Sequence, residues 1–327
     1  MVIEKTALAP DLDICRILNG MWQVAGVHGQ IDRESAINEM VQYHDAGFTT
    51  WDLADIYGPA ESFVGEFRKR IGSTFEALTK FVPNPGPMSK SIVTHYIEQS
   101  MQKMNTDCLD MVQFHWWDYN DTSYVDAMHH LSKLQQENKI KHIGLTNFDT
   151  ERVRTLVDCG FEIVSNQVQY SVLDCRPEKL MVPYFAKNNI KLLAYGTLLG
   201  GFLSEKYLGT NEPTRADLVT ASLQKYHNMI DAWGGWSMFQ ELLSILDSIA
   251  KKHGCSIANV ATRYILDKPQ VAGVIIGARL GITQHREDNM KAFSINLDSG
   301  DVSAINGVTA KSNDLFEIIG DCGDEYR

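Results

Sequence analysis

Asp52, Tyr57, Lys80 and His115 carry the side chains needed to reduce a carbonyl, and each stands at or just past an apolar run (FTTWDLADIYG, EALTKFV and LDMVQFHWW). Carbonyl reduction requires a hydride donor at carbon and a proton donor at oxygen. A tyrosine can protonate the oxygen if a neighbouring cation brings its pKa down from about 10. Lys80 offers that cation, and Asp52 offers the counter-charge that would hold the ammonium in place. His115 would hydrogen-bond the carbonyl oxygen and orient the substrate. Each residue alone also has an ordinary structural use: a strand-end cap, a loop aromatic, a surface lysine, a buried histidine. Such groups at the ends of several strands, with helices between, are what a barrel with its active site at one mouth presents.

The elements that would place these groups alternate from about residue 14 to 292. Candidate strands are RILNGMW, GFTTWDL, FEALTKFV, CLDMVQFHW, IKHIGL, EIVSNQVQ, NIKLLAYG and VAGVII. Helical spacing lies between them, as in Ile37, Met40 and Val41 behind an Asp32 N-cap, Ile92, Val93, Tyr96, Ile97 and Met101, and Val125, Met128, Leu131 and Leu134. The segments ESFVGEFRKR, DTERVRTLVDC and PEKLMVPYFAKN continue the alternation. Near-continuous apolar strands separated by helices indicate a parallel sheet covered by helices. Eight such units predict an α/β fold of the (β/α)8 TIM-barrel type, one domain over residues 1–327 with a C-terminal extension from about 294 to 327. An open Rossmann sheet would carry a GxGxxG turn after its first strand, and none is present. From Gly200 to Trp236 the text is too long for an ordinary βα connection and predicts a long loop after strand 7. Its readings are a cofactor clasp, an active-site lid or a variable surface loop. Two amphipathic helices, SMFQELLSILDSIAKKHG and SIANVATRYILD, then precede the last strand, and a capped helix at DSGDVSAINGV opens the tail.

A chain of 327 residues with 44% apolar content can bury a large core. Its net charge of -11 disfavours a nucleic-acid partner, which calls for a clustered basic surface, but leaves room for an anionic cofactor held by a few local groups. No apolar run approaches the ~18 residues of a membrane span. The opening MVIEKTALAPDLD lacks a secretory core, so the cytoplasm is expected, or an organelle after removal of an import peptide. Cys15, Cys108, Cys159, Cys175, Cys255 and Cys322 are scattered with no CxxC, which reads as free thiols and no metal site.

The chain resembles the aldo-keto reductase superfamily over nearly its whole length. NGMWQVAG is similar to the family's first strand and loop, and WDLADIYGPAESFVGE to its aspartate and tyrosine segment. TKF and QFHWWD supply the lysine and histidine of its tetrad, so the resemblance assigns catalysis to Asp52, Tyr57, Lys80 and His115. It implies a (β/α)8 barrel that binds NADPH, less often NADH, without a Rossmann domain and without a metal, and that interconverts carbonyls and alcohols. GLTNF and NQVQYS would bring Thr146, Asn147 and Gln167 to the nicotinamide carboxamide, with Thr146 standing where serine is usual. Asn147 and Gln167 are independently reasonable as amide partners at strand ends. In AYGTLLGGFLSEKY, Tyr195 would stack on the nicotinamide, while Gly196, Leu198, Gly200 and Gly201 pass over the pyrophosphate. Gly196 and Thr197 depart from the usual Ser-Pro.

IIGARLGITQHREDN resembles the adenosine and 2′-phosphate site, placing Gly277, Ala278 and Arg279 at the phosphate and Asp288 and Asn289 at the adenine edge. Two departures stand out. Gly277-Ala278 replaces Lys-Ser, and about two extra residues put His285 where a phosphate-clamping arginine often stands, with Arg286 as a fallback. The resemblance, with Arg279, favours NADPH over NADH. Trp22 and Trp116 are the expected aromatic walls of the substrate pocket, beside Tyr57 and His115; Trp22 and Asp52 also border the cofactor. Trp51 and Trp117 are read as pocket or core packing, Trp233 and Trp236 fall in the insertion, and some of the six tryptophans are expected to form an apolar wall. The expected function is reduction of an aldehyde or ketone. The alternatives are a dehydrogenase of a sugar or cyclic alcohol and a cofactor-binding redox sensor with little turnover. Oligomeric state is open.

Overall fold

The computed structural model describes residues 3–26, 31–282 and 284–323. Eight parallel strands close into a barrel: β3 (Ile17–Gly20), β4 (Thr50–Ala54), β5 (Glu76–Phe81), β6 (Leu109–His115), β7 (Ile140–Thr146), β8 (Ser165–Gln169), β9 (Lys191–Tyr195) and β10 (Val271–Gly277), with β10 pairing back onto β3. All eight correspond to the strands expected. The covering helices are α1 (Arg33–Asp45), α2 (Ala60–Ile71), α3 (Lys90–Lys103), α4 (Tyr124–Gln136), α5 (Thr150–Asp158) and α6 (Met181–Asn188), then α7 (Ala221–Trp233), α8 (Gly235–His253), α9 (Ile257–Leu266) and α10 (Arg286–Lys291). Side-chain caps start several of them: Asp32 accepts from Ser35 N, Asp149 from Arg152 N and Thr220 from Leu223 N.

Strand alternation sorts the barrel interior into layers, because successive side chains point to opposite faces. Leu18, Leu78, Met111 and Leu193 form an apolar floor, packed against Leu8, Ala9, Leu12 and Ile14. Those last four belong to an antiparallel hairpin, β1 (Lys5–Ala9) and β2 (Leu12–Cys15), which the sequence reading did not anticipate. The hairpin plugs the end of the barrel where the strands begin. Two residues along the strands from that floor, the interior turns polar, with Asp52, Lys80, Gln113 and Gln167 all buried.

The long connection expected after the seventh barrel strand is present: residues 208–220 form neither helix nor strand, and a helix of its own follows them. After short 3-10 turns at Leu199–Gly201 and Glu205–Tyr207, α7 begins behind its Thr220 cap and buries Tyr226, Met229, Ile230 and Trp233. Trp233 and Trp236 are buried in this region's own packing, with Trp236 against Phe202, Tyr207 and Phe239, so they are not pocket walls. His227 on α7 lies 3.1 Å from Glu212 and 3.3 Å from Asp231, which ties the preceding segment to the helix.

The C-terminal extension, described as far as residue 323, contains α11 (Ser299–Thr309) and α12 (Leu315–Ile319). It lies against the barrel: Asp321 Oδ2 accepts from Thr150 N at 2.8 Å, and Arg176 donates to the carbonyl of Asp321 at 3.1 Å. Residues 1–2 of the opening segment and 324–327 of the extension lie outside the described residues. Among the described residues no helix is long and apolar enough to cross a membrane.

The hairpin plug is expected to contribute to stability and not to chemistry. Ile14 has no exposed surface, so Ile14→Ala should cost about 2–5 kcal/mol in denaturant unfolding. A loss below about 1 kcal/mol would mean that the hairpin packs only loosely on the floor.

Candidate active site

The four residues singled out by the sequence gather where β4, β5 and β6 end. Asp52 and Lys80 come from adjacent strands, with Ala54 in register with Lys80, and Lys80 in register with Gln113 two residues before His115. Lys80 Nζ donates to Asp52 Oδ2 at 2.5 Å and to the Leu53 carbonyl at 3.3 Å. Both side chains are buried, and burial pushes the lysine below its ordinary pKa while Asp52 opposes that shift. Tyr57 follows the strand by a turn whose N–H bonds Ala54 O at 3.1 Å. The Lys80 ammonium lies 5.1 Å from the centre of the Tyr57 ring.

Asp52 has further partners that the sequence reading did not assign. Its Oδ1 accepts from Gln113 Nε2 at 2.8 Å and from Gln167 Nε2 at 2.6 Å, and Gln113 Oε1 accepts from Gln167 Nε2 at 2.7 Å. Gln113 was passed over as part of an apolar strand. The available signal was its spacing, two residues before His115 and therefore on the same inward face. Gln167, expected beside a carboxamide, has both N–H bonds engaged inside the protein, so its Oε1 is the atom that remains for a ligand.

The groups assigned to the nicotinamide end converge on the same mouth. His115 is in register with Thr146, and Thr146 with Gln167. Thr146 Oγ1 is buried with no hydrogen-bond partner among the described residues. Asn147 takes a left-handed backbone (φ 56°), which asparagine tolerates better than most residues, and its Oδ1 accepts from Tyr195 OH at 2.9 Å. The following segment rests on α7: a Cβ at Gly196 would come within 2.4 Å of Tyr226 OH, and Gly196 itself has φ 69°. Gly200 and Gly201 also have positive φ, and Leu198 packs at the margin of the core.

At the other end, Gly277 lies so close to the Gln23 amide that a Cβ would sit 2.2 Å from Nε2. Ala278 N bonds the Gly20 carbonyl, which fixes the chain just before Arg279. Arg279 has no ion-pair partner among the described residues, and its Nε is buried without an acceptor. A cation left in this state suits a phosphate. Arg286 is less available, since it donates to Gln42 at 2.8 Å and sits over the Tyr43 ring. Asp288 accepts from Ser256 Oγ at 2.9 Å and from Asn259, which binds it to the start of α9. His285 is exposed at the start of α10, and Asn289 is half-buried within that helix.

The pocket walls need one correction. Trp116 is fully buried, its Nε1 donating to the carbonyls of Asp118 and Asp121, and it does not face the mouth. Trp117 is 38% exposed and its ring centre lies 4.3 Å from that of His115. Trp22, 40% exposed, meets Tyr57 edge-on at 5.0 Å. Trp22 and Trp117 are therefore the tryptophans beside the tetrad. Trp51 is core, packed among Tyr43 and Phe67.

A family model described as the aldo/keto reductase family matches residues 16–310. The flagellar radial spoke protein 5 of Chlamydomonas reinhardtii is 28% identical over 65% of this chain, and the match spans 49% of that protein's length. The NADH-specific methylglyoxal reductase of Escherichia coli is 24% identical over 90% of this chain and 94% of its own. Among solved structures, a glycerol dehydrogenase from Gluconobacter oxydans superposes with a TM-score of 0.79 at 21% identity, covering 94% of this chain and 95% of its own.

Beside the tetrad, Asp55 has a pKa raised to about 7 by burial, which outweighs the N–H of Val82 that its Oδ2 accepts at 3.1 Å. A carboxyl raised in this way favours the folded state when protonated. That contribution is complete below the unfolded pKa and is lost as pH rises through about 7. Asp55→Asn stays neutral, so relative to wild type it should gain on the order of 2 kcal/mol between pH 5 and pH 8 in denaturant unfolding. An equal difference at the two pH values would refute the assignment.

Proposed function

Since this chain belongs to the aldo/keto reductase family, we propose that it reduces aldehydes or ketones to alcohols with NADPH, Tyr57 donating the proton. The carrying observation is the buried Lys80–Asp52 pair with its ammonium 5.1 Å from the Tyr57 ring. Tyr57 gives its proton to the carbonyl oxygen as negative charge develops there, and the fixed ammonium stabilises the phenolate left behind. His115 donates to the same oxygen and restricts the approach of the carbonyl. Trp22 and Trp117 flank this point and favour a flat apolar or aromatic substrate.

The cofactor, when bound, supplies the hydride. Thr146, Asn147 and the Oε1 of Gln167 are suited to hold its carboxamide, and Tyr195 to lie against the ring. The positive-φ glycines 196, 200 and 201 allow backbone to run close to a pyrophosphate. Arg279, with Gly277 and Ala278, is suited to the 2′-phosphate; Asp288, Asn289 and His285 border the adenine side. The E. coli relative is named as NADH-specific, so Arg279 is the residue on which the NADPH preference rests. Oxidation of a sugar or cyclic alcohol would use the same groups in reverse. A cofactor-sensing role without turnover is the second reading; one relative, the flagellar radial spoke protein 5, carries a name that states no reaction.

NADPH oxidation followed at 340 nm with 4-nitrobenzaldehyde tests the proposal. Wild type should turn over, and Tyr57→Phe should lose at least about 100-fold in kcat while still binding NADPH. Tight NADPH binding with no turnover, in either direction and with sugars as well, would support the sensing role instead. Arg279→Gln should raise KM for NADPH by about 10-fold or more and leave KM for NADH nearly unchanged. Equal losses with both cofactors would assign Arg279 to structure.

A further inference from the structure

Gln113 lies fully buried beneath the tetrad. Its Nε2 gives one N–H to Asp52 Oδ1 and the other to the Leu78 carbonyl, at 2.8 and 3.2 Å, while its Oε1 accepts from Gln167. Gln167 in turn donates to Asp52, and the second oxygen of Asp52 holds Lys80. The result is one unbroken chain from Gln167, on the strand that faces the carboxamide site, to the ammonium beside Tyr57. We propose that Gln113 is a positioning residue for the reduction: by donating to Asp52 and accepting from Gln167 at once, it couples cofactor seating to the posture of the Lys80–Tyr57 pair. This proposal rests on the reductase reading.

The chemistry of the position narrows what can stand there. Asp52 requires a donor and Gln167 an acceptor, and a neutral amide of this length offers both. An apolar side chain would take a donor from a buried carboxylate and an acceptor from a buried amide together, leaving both under-satisfied. An ionised carboxylate would accept from Gln167 but would face Asp52 with like charge. A protonated carboxyl restores the links to Asp52 and Gln167, since its O–H donates to Asp52 and its C=O accepts from Gln167, and gives up only the bond to the Leu78 carbonyl.

The test compares Gln113→Glu and Gln113→Met with wild type across pH 5 to 9, measuring kcat and KM for 4-nitrobenzaldehyde and Kd for NADPH by fluorescence. Gln113→Met should lower kcat about 10- to 100-fold with little change in aldehyde KM, and weaken NADPH several-fold, at every pH. Gln113→Glu should approach wild-type kcat and Kd at the acid end. It should then fall away as the introduced carboxyl ionises, at a pKa raised by its proximity to Asp52. Folding of each variant is checked by circular dichroism. Variants that keep wild-type values throughout, or a Gln113→Glu loss that does not vary with pH and equals that of Gln113→Met, would overturn the proposal. If wild type itself has no turnover, the reductase reading fails, and the NADPH Kd series still decides whether Gln113 governs cofactor seating.

Discussion

A lysine and an aspartate have been taken out of water inside a barrel, and most of the interior is arranged around that fact. Desolvating either charge costs several kcal/mol, and a single contact between them does not offset the sum. The remainder comes from hydrogen bonds that fill the carboxylate: Lys80 on one oxygen, Gln113 and Gln167 on the other. Lys80 has a second acceptor in the Leu53 carbonyl. These partners sit on four different strands, and only a closed parallel sheet brings four strand interiors to one axis at the same height. The barrel is therefore the means by which a buried ion pair is tolerated, and it sets that pair's ammonium 5.1 Å from the ring of a tyrosine at the rim.

The same layering separates stability from chemistry along the barrel axis. Leu18, Leu78, Met111 and Leu193 fill the lower interior, and the hairpin seals them from below. Leu78 and Lys80 are neighbours on one face of one strand, as are Met111, Gln113 and His115 on the next, so each strand passes from floor to polar layer to mouth within a few residues. A ligand that closes the mouth would lower the local dielectric and strengthen the effect of Lys80 on Tyr57.

How much of this was legible depends on whether the signal was local. The eight strands and the tetrad positions were readable because each lies in a short apolar run ended by a polar residue. Trp116 and Trp117 were harder to separate, although parity held a cue: His115 ends the strand facing inward, Trp116 is the first residue beyond it and is buried, and Trp117 returns to the side of His115. Helix α7 was also legible in principle, since Leu223, Tyr226, Met229, Ile230 and Trp233 follow a Thr220 cap at helical spacing; the glycines around it drew attention to a loop. The hairpin was obscured by the charged residues in KTALAPDLDIC, whose Pro10-Asp11 turn was the cue. Gln113 was different in kind. Its bond to Asp52 joins residues sixty-one positions apart, and nothing near it in the chain indicates that partner.

The departure at Gly196-Thr197 is resolved by the same reasoning applied to the segment after β9. A Ser-Pro pair would stiffen the chain by its own geometry, through the fixed φ of proline. Here the constraint comes from contacts instead: Thr197 is buried and donates its hydroxyl to the Tyr170 carbonyl at 3.1 Å, and Tyr226 of α7 leaves no room for a side chain at Gly196. Helix α7 thus takes over a role that local covalent stiffness would otherwise fill. Because α7 is itself tied down by its own buried aromatics and by His227 between Glu212 and Asp231, the shape of the segment after β9 depends on packing some thirty residues further along the chain.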